Sequence, residues 1–157
     1  MSGYVFDTSS FSALFGSFYR KPFRSLWERF DALVADGSVT STREVWRELE
    51  DRPLPALVEW EKTNGHIFAT PTAAEGAFIV RIYRVPHFQQ NIEQRKLLKG
   101  GKHADAFVIA KAAVEGRTVV TEESIRPNAV RIPNICEHFN VPCFSLEQFM
   151  DVEGWEF

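Results

Sequence analysis

Cysteine is scarce in this sequence, and only two are present, Cys136 and Cys143. Two thiols cannot build a disulfide framework, and in a reducing compartment they are expected to stay as buried thiols. With His138 they lack a nearby fourth ligand, and their spacing matches no common zinc site. Long apolar runs are missing as well: none approaches the roughly 20 residues that cross a bilayer. The opening MSGYVFDTSS has no basic region followed by an apolar stretch and a cleavage site. The expectation is a cytoplasmic protein with no membrane partner. There is also no excess of positive charge. With 18 Lys and Arg against 21 Asp and Glu the net charge is −3, so any nucleic acid must be held by a local patch rather than by the whole field. No internal repeat and no linker composition interrupts the chain.

What remains is a chain able to bury a core. Its 157 residues are 45% hydrophobic, with 14 Phe and four Trp spread along the length. That length suits one compact domain over residues 1–157 and is short for two. Charge is unevenly placed. Six basic residues (Arg81, Arg84, Arg95, Lys96, Lys99 and Lys102) stand against the single acid Glu93, whereas the segment from Glu137 to the end holds five acids and no Lys or Arg.

Apolar patterning alternates between short strands and helices. Tyr4-Val5-Phe6 reads as a buried strand ending in the polar turn Asp7-Thr8-Ser9-Ser10. Phe23, Leu26, Trp27, Phe30, Leu33 and Val34 recur at helical spacing, with Gly37 beyond the end. Ser38-Val39-Thr40 predicts a second strand, Thr42 to Asp51 a helix, and the stretch from Pro55 to Asn64-Gly65 another. Ile67-Phe68-Ala69 predicts a third strand. Thr72 to Glu75 has capping-box spacing and opens a helix that Pro86 interrupts. Gly100-Gly101 breaks a polar helix. Ala104 to Glu115 is an Ala-rich helix closed by Gly116, and Thr118 to Thr121 follows as a β-branched strand. Asn134 is the expected cap of a short helix through Phe139. Pro142-Cys143-Phe144 predicts a last strand and Ser145 to Gln148 the start of a last helix. Alternation of this kind, with strands apolar on both faces, predicts an α/β fold: a central parallel sheet in one three-layer α/β/α domain.

Ligand sites of such sheets lie beyond the carboxyl ends of the strands. Asp7 follows the first strand, Glu123 follows the β-branched strand, Asp105 opens the Ala-rich helix, and Glu48 lies on the helix after the second strand. Each acid also has a plainer role: Asp7 as a turn residue, Asp105 as a partner of the helix dipole, Glu122 and Glu123 as solvated turn residues. With Ser41 as N-cap, Glu44 would be the third residue of a capping box, leaving Glu48 as the helix acid with no capping role. Converging carboxylates repel one another unless a hard divalent cation holds them ionised.

The set Val5-Phe6-Asp7-Thr8-Ser9, Val45-Trp46-Arg47-Glu48-Leu49, Ala104-Asp105-Ala106-Phe107-Val108-Ile109-Ala110 and Val119-Val120-Thr121-Glu122-Glu123 resembles the PIN-domain nucleases in order and spacing. The resemblance covers nearly the whole chain. It is nearest to a bacterial PIN-like group of unknown function related to VapC-type toxins, whose pattern is echoed by Glu44-Val45-x-x-Glu48-Leu49 and Ile132-Pro133-Asn134-Ile135-Cys136. It implies a Mg2+- or Mn2+-dependent ribonuclease, the toxin of a type II toxin-antitoxin pair. Its acids fall on Asp7, Glu48, Asp105 and Glu123, the last departing from the commoner Asp. Ser9 and Thr121 fall where the family often places hydroxyls beside the acids. RNA and a cognate antitoxin protein are the implied partners, with room for a homodimer. Arg43, Arg47, Arg95, Lys96, Lys99 and Lys102 are the candidate RNA contacts, with solvated surface charge as the plain alternative. His87 and His103 lack the partners of a general base; His103, two residues before Asp105, could touch substrate, and the plainer reading, which is favoured for both, is an exposed side chain.

Other functions fit less well. A haloacid-dehalogenase-like phosphatase expects a second Asp where Ser9 stands, and a phospho-receiver domain expects a Lys after a late strand. The competing function is an inactive PIN-like RNA- or protein-binding module.

Overall fold

A computed structural model describes residues 3–98 and 103–157, the side chains of 95–98 excepted. Five strands form one parallel sheet in the order β3-β2-β1-β4-β5: β1 Tyr4–Phe6, β2 Val39–Thr42, β3 Phe68–Ala69, β4 Thr118–Val120 and β5 Cys143–Phe144. The register sets Val5 between Thr40 and Val119. Nine α-helices occur among the described residues: α1 Thr8–Ser17, α2 Arg24–Ala35, α3 Arg43–Leu49, α4 Pro55–Asn64, α5 Ala73–Tyr83, α6 Gln89–Leu98, α7 Asp105–Glu115, α8 Ile132–Phe139 and α9 Leu146–Val152. This is the three-layer α/β/α domain with a parallel sheet that the alternation predicts.

The strands β1 and β4 are covered on both faces. Every residue of β1 and β4 is buried, which only apolar or internally bonded residues tolerate. Successive side chains of a strand point to opposite faces. Tyr4 and Phe6 both meet Phe149 of α9 edge-on, and Phe6 also meets Phe11 of α1 and Phe30 of α2. Trp60 of α4 closes this aromatic layer against Phe11, Phe15 and Phe30. The Ala-rich α7 packs on β1, β2 and β4 and against α5 and α8. Its small side chains let it approach the sheet closely. Gly116 ends it with a left-handed φ of 68°, the position at which a Cβ is strained.

Three local expectations are corrected. Asp7 to Ser10 is not a free turn: Asp7 is the N-cap of α1, and Thr8, Ser9 and Ser10 are its first turn. Ser41 is not the cap of α3. It lies in β2, and its hydroxyl donates to the Phe6 carbonyl at 2.7 Å, so the cap falls one residue later on Thr42, which accepts from Val45 N at 3.3 Å. Glu44 is then the second helical residue and belongs to no capping box. In α8 the cap is Arg131, with Pro133 in the first turn, while Asn134 donates to the Arg126 carbonyl. At α9, whose start at Ser145 the sequence predicts, a capping box is complete, Ser145 and Gln148 each bonding the other's backbone N–H. At α5 it is half made: Thr72 accepts from Glu75 N but donates its own proton to the Glu75 carboxylate. No helix among the described residues is long and apolar enough to cross a membrane.

Candidate functional site

Strand order reverses at β1, which has β2 on one side and β4 on the other. The crevice beyond the carboxyl ends of β1 and β4 is the usual ligand position of an open parallel sheet, and Asp7 sits there. Its carboxylate is 4% exposed and closely bonded. Oδ1 accepts from Ser10 N at 2.8 Å and has the Ser9 and Ser10 hydroxyls at 2.9 Å; Oδ2 accepts from Thr121 Oγ1 at 2.6 Å. All these donors are neutral. Burial therefore dominates, and the Asp7 pKa rises from 3.8 to about 6 although the bonds from Thr121, Ser10 and Ser9 pull it down.

The other acids are tied to Asp7 through its neighbours. Thr8, next in sequence, donates its hydroxyl to Glu48 Oε1, and Glu48 Oε2 accepts from Ala104 N at 2.9 Å. Ala104 directly precedes Asp105, whose Oδ2 accepts from Asn91 Nδ2 at 2.9 Å. On the other side Thr121 Oγ1 accepts from Glu123 N at 3.1 Å. Glu48 and Asp105 are buried, while Glu123 is half-buried with Oε1 3.4 Å from Ile132 N, at the start of α8. Its neighbour Glu122 accepts from Leu146 N at the start of α9, not a purely solvated role. Ser9 and Thr121 both touch the Asp7 carboxylate, and Ser9 also accepts from Glu122 N at 3.0 Å.

Two residues at this site were missed by the sequence reading. Thr8 orients Glu48. Asn91, fully buried on α6, spends both amide protons on Asp105 and the Val130 carbonyl and accepts from the Tyr83 hydroxyl. Its amide has one satisfied orientation, because turning it over would set oxygen against oxygen twice. A hydroxyl directly after Asp7 was the available hint for Thr8; an Asn inside a polar helix offers none.

The remaining candidates are placed as follows. Arg43 and Arg47 both reach Glu44, at 2.9 and 3.3 Å. Lys99 and Lys102 lie outside the described residues, as do the side chains of Arg95 and Lys96. His103 is half-buried with an unpartnered Nδ1, and His87 lies beside Phe88. Cys136 is buried on α8, its thiol pushed well above the usual range by its bond with Cys143, by burial, and by negative charge that includes Asp105 and Asp7.

Whether these residues suit a divalent cation can be judged from their donors. Asp7, Glu48, Asp105 and Glu123 offer hard oxygens, and the raised pKa of Asp7 marks a buried acid that gains from a nearby positive charge. As they stand, no three His, Cys, Asp or Glu side chains among the described residues are grouped to hold a metal ion. The fit lies in donor chemistry and placement, and ligation would require the side chains to turn from their present partners.

Fold and site together define an α/β/α protein with a hydrogen-bonded acidic cluster at the switch point of a parallel sheet. The chain belongs to the family described as "Domain of unknown function (DUF4411)", whose model matches residues 4–157. No curated protein matches the sequence.

Proposed function

We propose that this protein is a divalent-metal-dependent ribonuclease of the PIN kind that hydrolyses RNA phosphodiester bonds. It would act in the cytoplasm as a toxin restrained by a cognate antitoxin. The observation that carries the reading is the Asp7 carboxylate: buried, raised towards neutrality, and linked through Thr8 to Glu48 and through Thr121 to Glu123. A structural N-cap would not need three further hydroxyls, from Ser9 and Ser10 of α1 and from Thr121 just after β4, on an acid that burial already disfavours.

Asp7, Glu48 and Asp105 are the residues that would hold Mg2+ or Mn2+, with Glu123 at the margin of the set. A bound cation supplies Lewis acidity towards water and a phosphate oxygen. The chain's own contribution is orientation and charge. Ser9 and Thr121 fix the Asp7 carboxylate, Thr8 and Ala104 N fix both oxygens of Glu48, and Asn91 fixes one oxygen of Asp105. No serine or histidine nucleophile is needed for this chemistry.

One observation favours the inactive-module reading: the buried carboxylates already accept bonds from backbone and side-chain donors, which a non-enzymatic descendant would retain for stability. Purified protein incubated with mixed cellular RNA, with and without Mn2+, beside Asp7→Asn, separates the two. Manganese-dependent cleavage lost in Asp7→Asn is the expected result. Intact RNA in every arm would leave only the binding module.

A further inference from the structure

The helix that carries Glu48 carries a second arrangement that the four acids do not use. Glu44 lies one turn before Glu48 on the same face of α3. Only 7% of it is exposed. Its Oε2 accepts from Arg43 Nε at 2.9 Å and from Arg47 Nη1 at 3.3 Å, while its Oε1 is buried without a hydrogen-bond partner. A surface ion pair serving stability alone would keep both ends in water, where it contributes little. Here the acid is buried at the cost of an orphaned oxygen, and the side chains of Arg43 and Arg47 stay 41% and 54% exposed.

Burial fixes the shared oxygen, and the shared oxygen fixes two guanidinium groups side by side. A guanidinium has five N–H donors. Arg43 commits its Nε and Arg47 its Nη1, and among the described residues their other nitrogens make no hydrogen bond. Two cations and one anion leave a net positive point in a protein of charge −3. Planar N–H forks of this kind match the oxygens of a phosphate.

We propose that Arg43 and Arg47, aligned by Glu44, form a fork that binds a phosphodiester of single-stranded RNA within one helical turn of Glu48. The choice of RNA rests on the nuclease reading; the fork adds where the backbone is gripped. Glu44 is a positioning residue in this scheme. Glu44, which both guanidinium groups share, lies one turn before Glu48 on the same face of α3, so a phosphate on the fork lies within a helical turn of the acidic cluster.

Simple charge and positioning predict opposite signs for one variant. If Glu44 only competes with phosphate for the two arginines, Glu44→Gln tightens RNA binding. If Glu44 aligns them, Glu44→Gln weakens binding even though a negative charge is gone. The experiment measures anisotropy of a labelled, mixed-sequence single-stranded oligoribonucleotide on the full chain in EDTA, across a salt series. Circular dichroism checks the fold of Arg43→Gln/Arg47→Gln, which removes both charges while its amides can still donate to the buried Glu44 carboxylate. This double variant is expected to weaken binding by about tenfold or more and to flatten the salt slope by about one, since each lost phosphate contact removes about 0.7 for a single strand. Glu44→Gln is expected to weaken binding several-fold, with an unchanged circular dichroism spectrum. An unaltered affinity and slope in the double variant would remove the fork, and tighter binding by Glu44→Gln would remove its alignment. Cleavage with Mn2+ is scored separately. Wild-type protein that binds through the fork without cleaving overturns the nuclease reading alone; wild-type protein that cleaves while the double variant binds normally overturns the fork alone.

Discussion

Asp7 illustrates how one residue serves both fold and site. As N-cap it satisfies Ser10 N, which accounts for its place in α1; as a buried acid it carries a pKa raised from 3.8 to about 6. Folding therefore favours its neutral form. The unfolded chain releases this proton near pH 4 and the metal-free folded chain near pH 6, so this group's contribution to stability falls as pH rises through that window. A rise of about two pKa units corresponds to about 3 kcal/mol. Asp7→Asn keeps a capping side chain and removes the charge, so in EDTA it should be more stable than wild type at pH 7.5 by up to about 3 kcal/mol, with the advantage shrinking below pH 5. Urea unfolding at the two pH values measures this, and an advantage that does not depend on pH would mean that the Asp7 carboxylate is not held in a desolvated state. Asn91 makes a different prediction. Asn91→Ala removes the buried amide's three hydrogen bonds to Asp105, Val130 and Tyr83, and should cost about 2–4 kcal/mol. A loss below about 0.5 kcal/mol in urea unfolding would show that water replaces the amide freely. Sequence spacing exposed Asp7, Asp105 and Glu123 because they stand just after a strand or at the start of a helix, and Glu48 because it lies one turn beyond Glu44 on the helix after β2. It could not expose Thr8 and Asn91, whose roles depend on partners brought up by the fold from 40 and 14 residues away.

At the scale of elements, the strands and the longer helices were legible because burial on both faces forces continuous apolar runs and because α7 ends in a glycine that only its left-handed conformation explains. The missed element is α1. Phe11, Leu14 and Phe15 stand at helical spacing and are buried, yet Asp7-Thr8-Ser9-Ser10 reads equally well as a turn, since the residues that cap helices are those that make turns. The misplaced cap at α3 has a related cause. Ser41 and Thr42 are both good caps, and the choice fell to a tertiary bond: the Phe6 carbonyl at the end of β1 takes the Ser41 hydroxyl. Thr42→Ala should therefore cost about 1 kcal/mol through the cap. Ser41→Ala should cost a similar amount through the buried carbonyl left without a donor. The two are separable by helix content: α3 amide protons should exchange faster in Thr42→Ala and stay protected in Ser41→Ala. The opposite pattern would return the cap to Ser41 and restore a capping role for Glu44.

For the whole molecule, the proposed nuclease reading requires a chain of net charge −3 to hold a polyanion. The sheet concentrates acids at its carboxyl edge, which repels RNA, so binding needs cations close by. The sequence places them in the stretch from Arg81 to Lys102, and α6, which lies within it, is fastened to the acidic site by Asn91, whose amide joins it to Asp105 and to Val130 before α8. Phosphate contacts add affinity without reading bases. Neutralising Arg95, Lys96 and Lys99 together should thus weaken binding of all single-stranded RNAs alike. It should also flatten the salt slope by about two, at about 0.7 per contact, and leave the choice of cleavage position unchanged among the RNAs still bound. Anisotropy across a salt series gives the slope, and end-labelled cleavage ladders give the position. If the slope holds while a co-purifying acidic protein no longer binds the triple variant, the stretch serves an inhibitor and the substrate is held elsewhere. The arginines of α3 would then be the cations next to the site that remain to hold the backbone. Combining the triple variant with Arg43→Gln/Arg47→Gln tests that division, because independent contacts separated in space add in free energy, whereas two parts of one phosphate track lose less together than the sum of their separate losses.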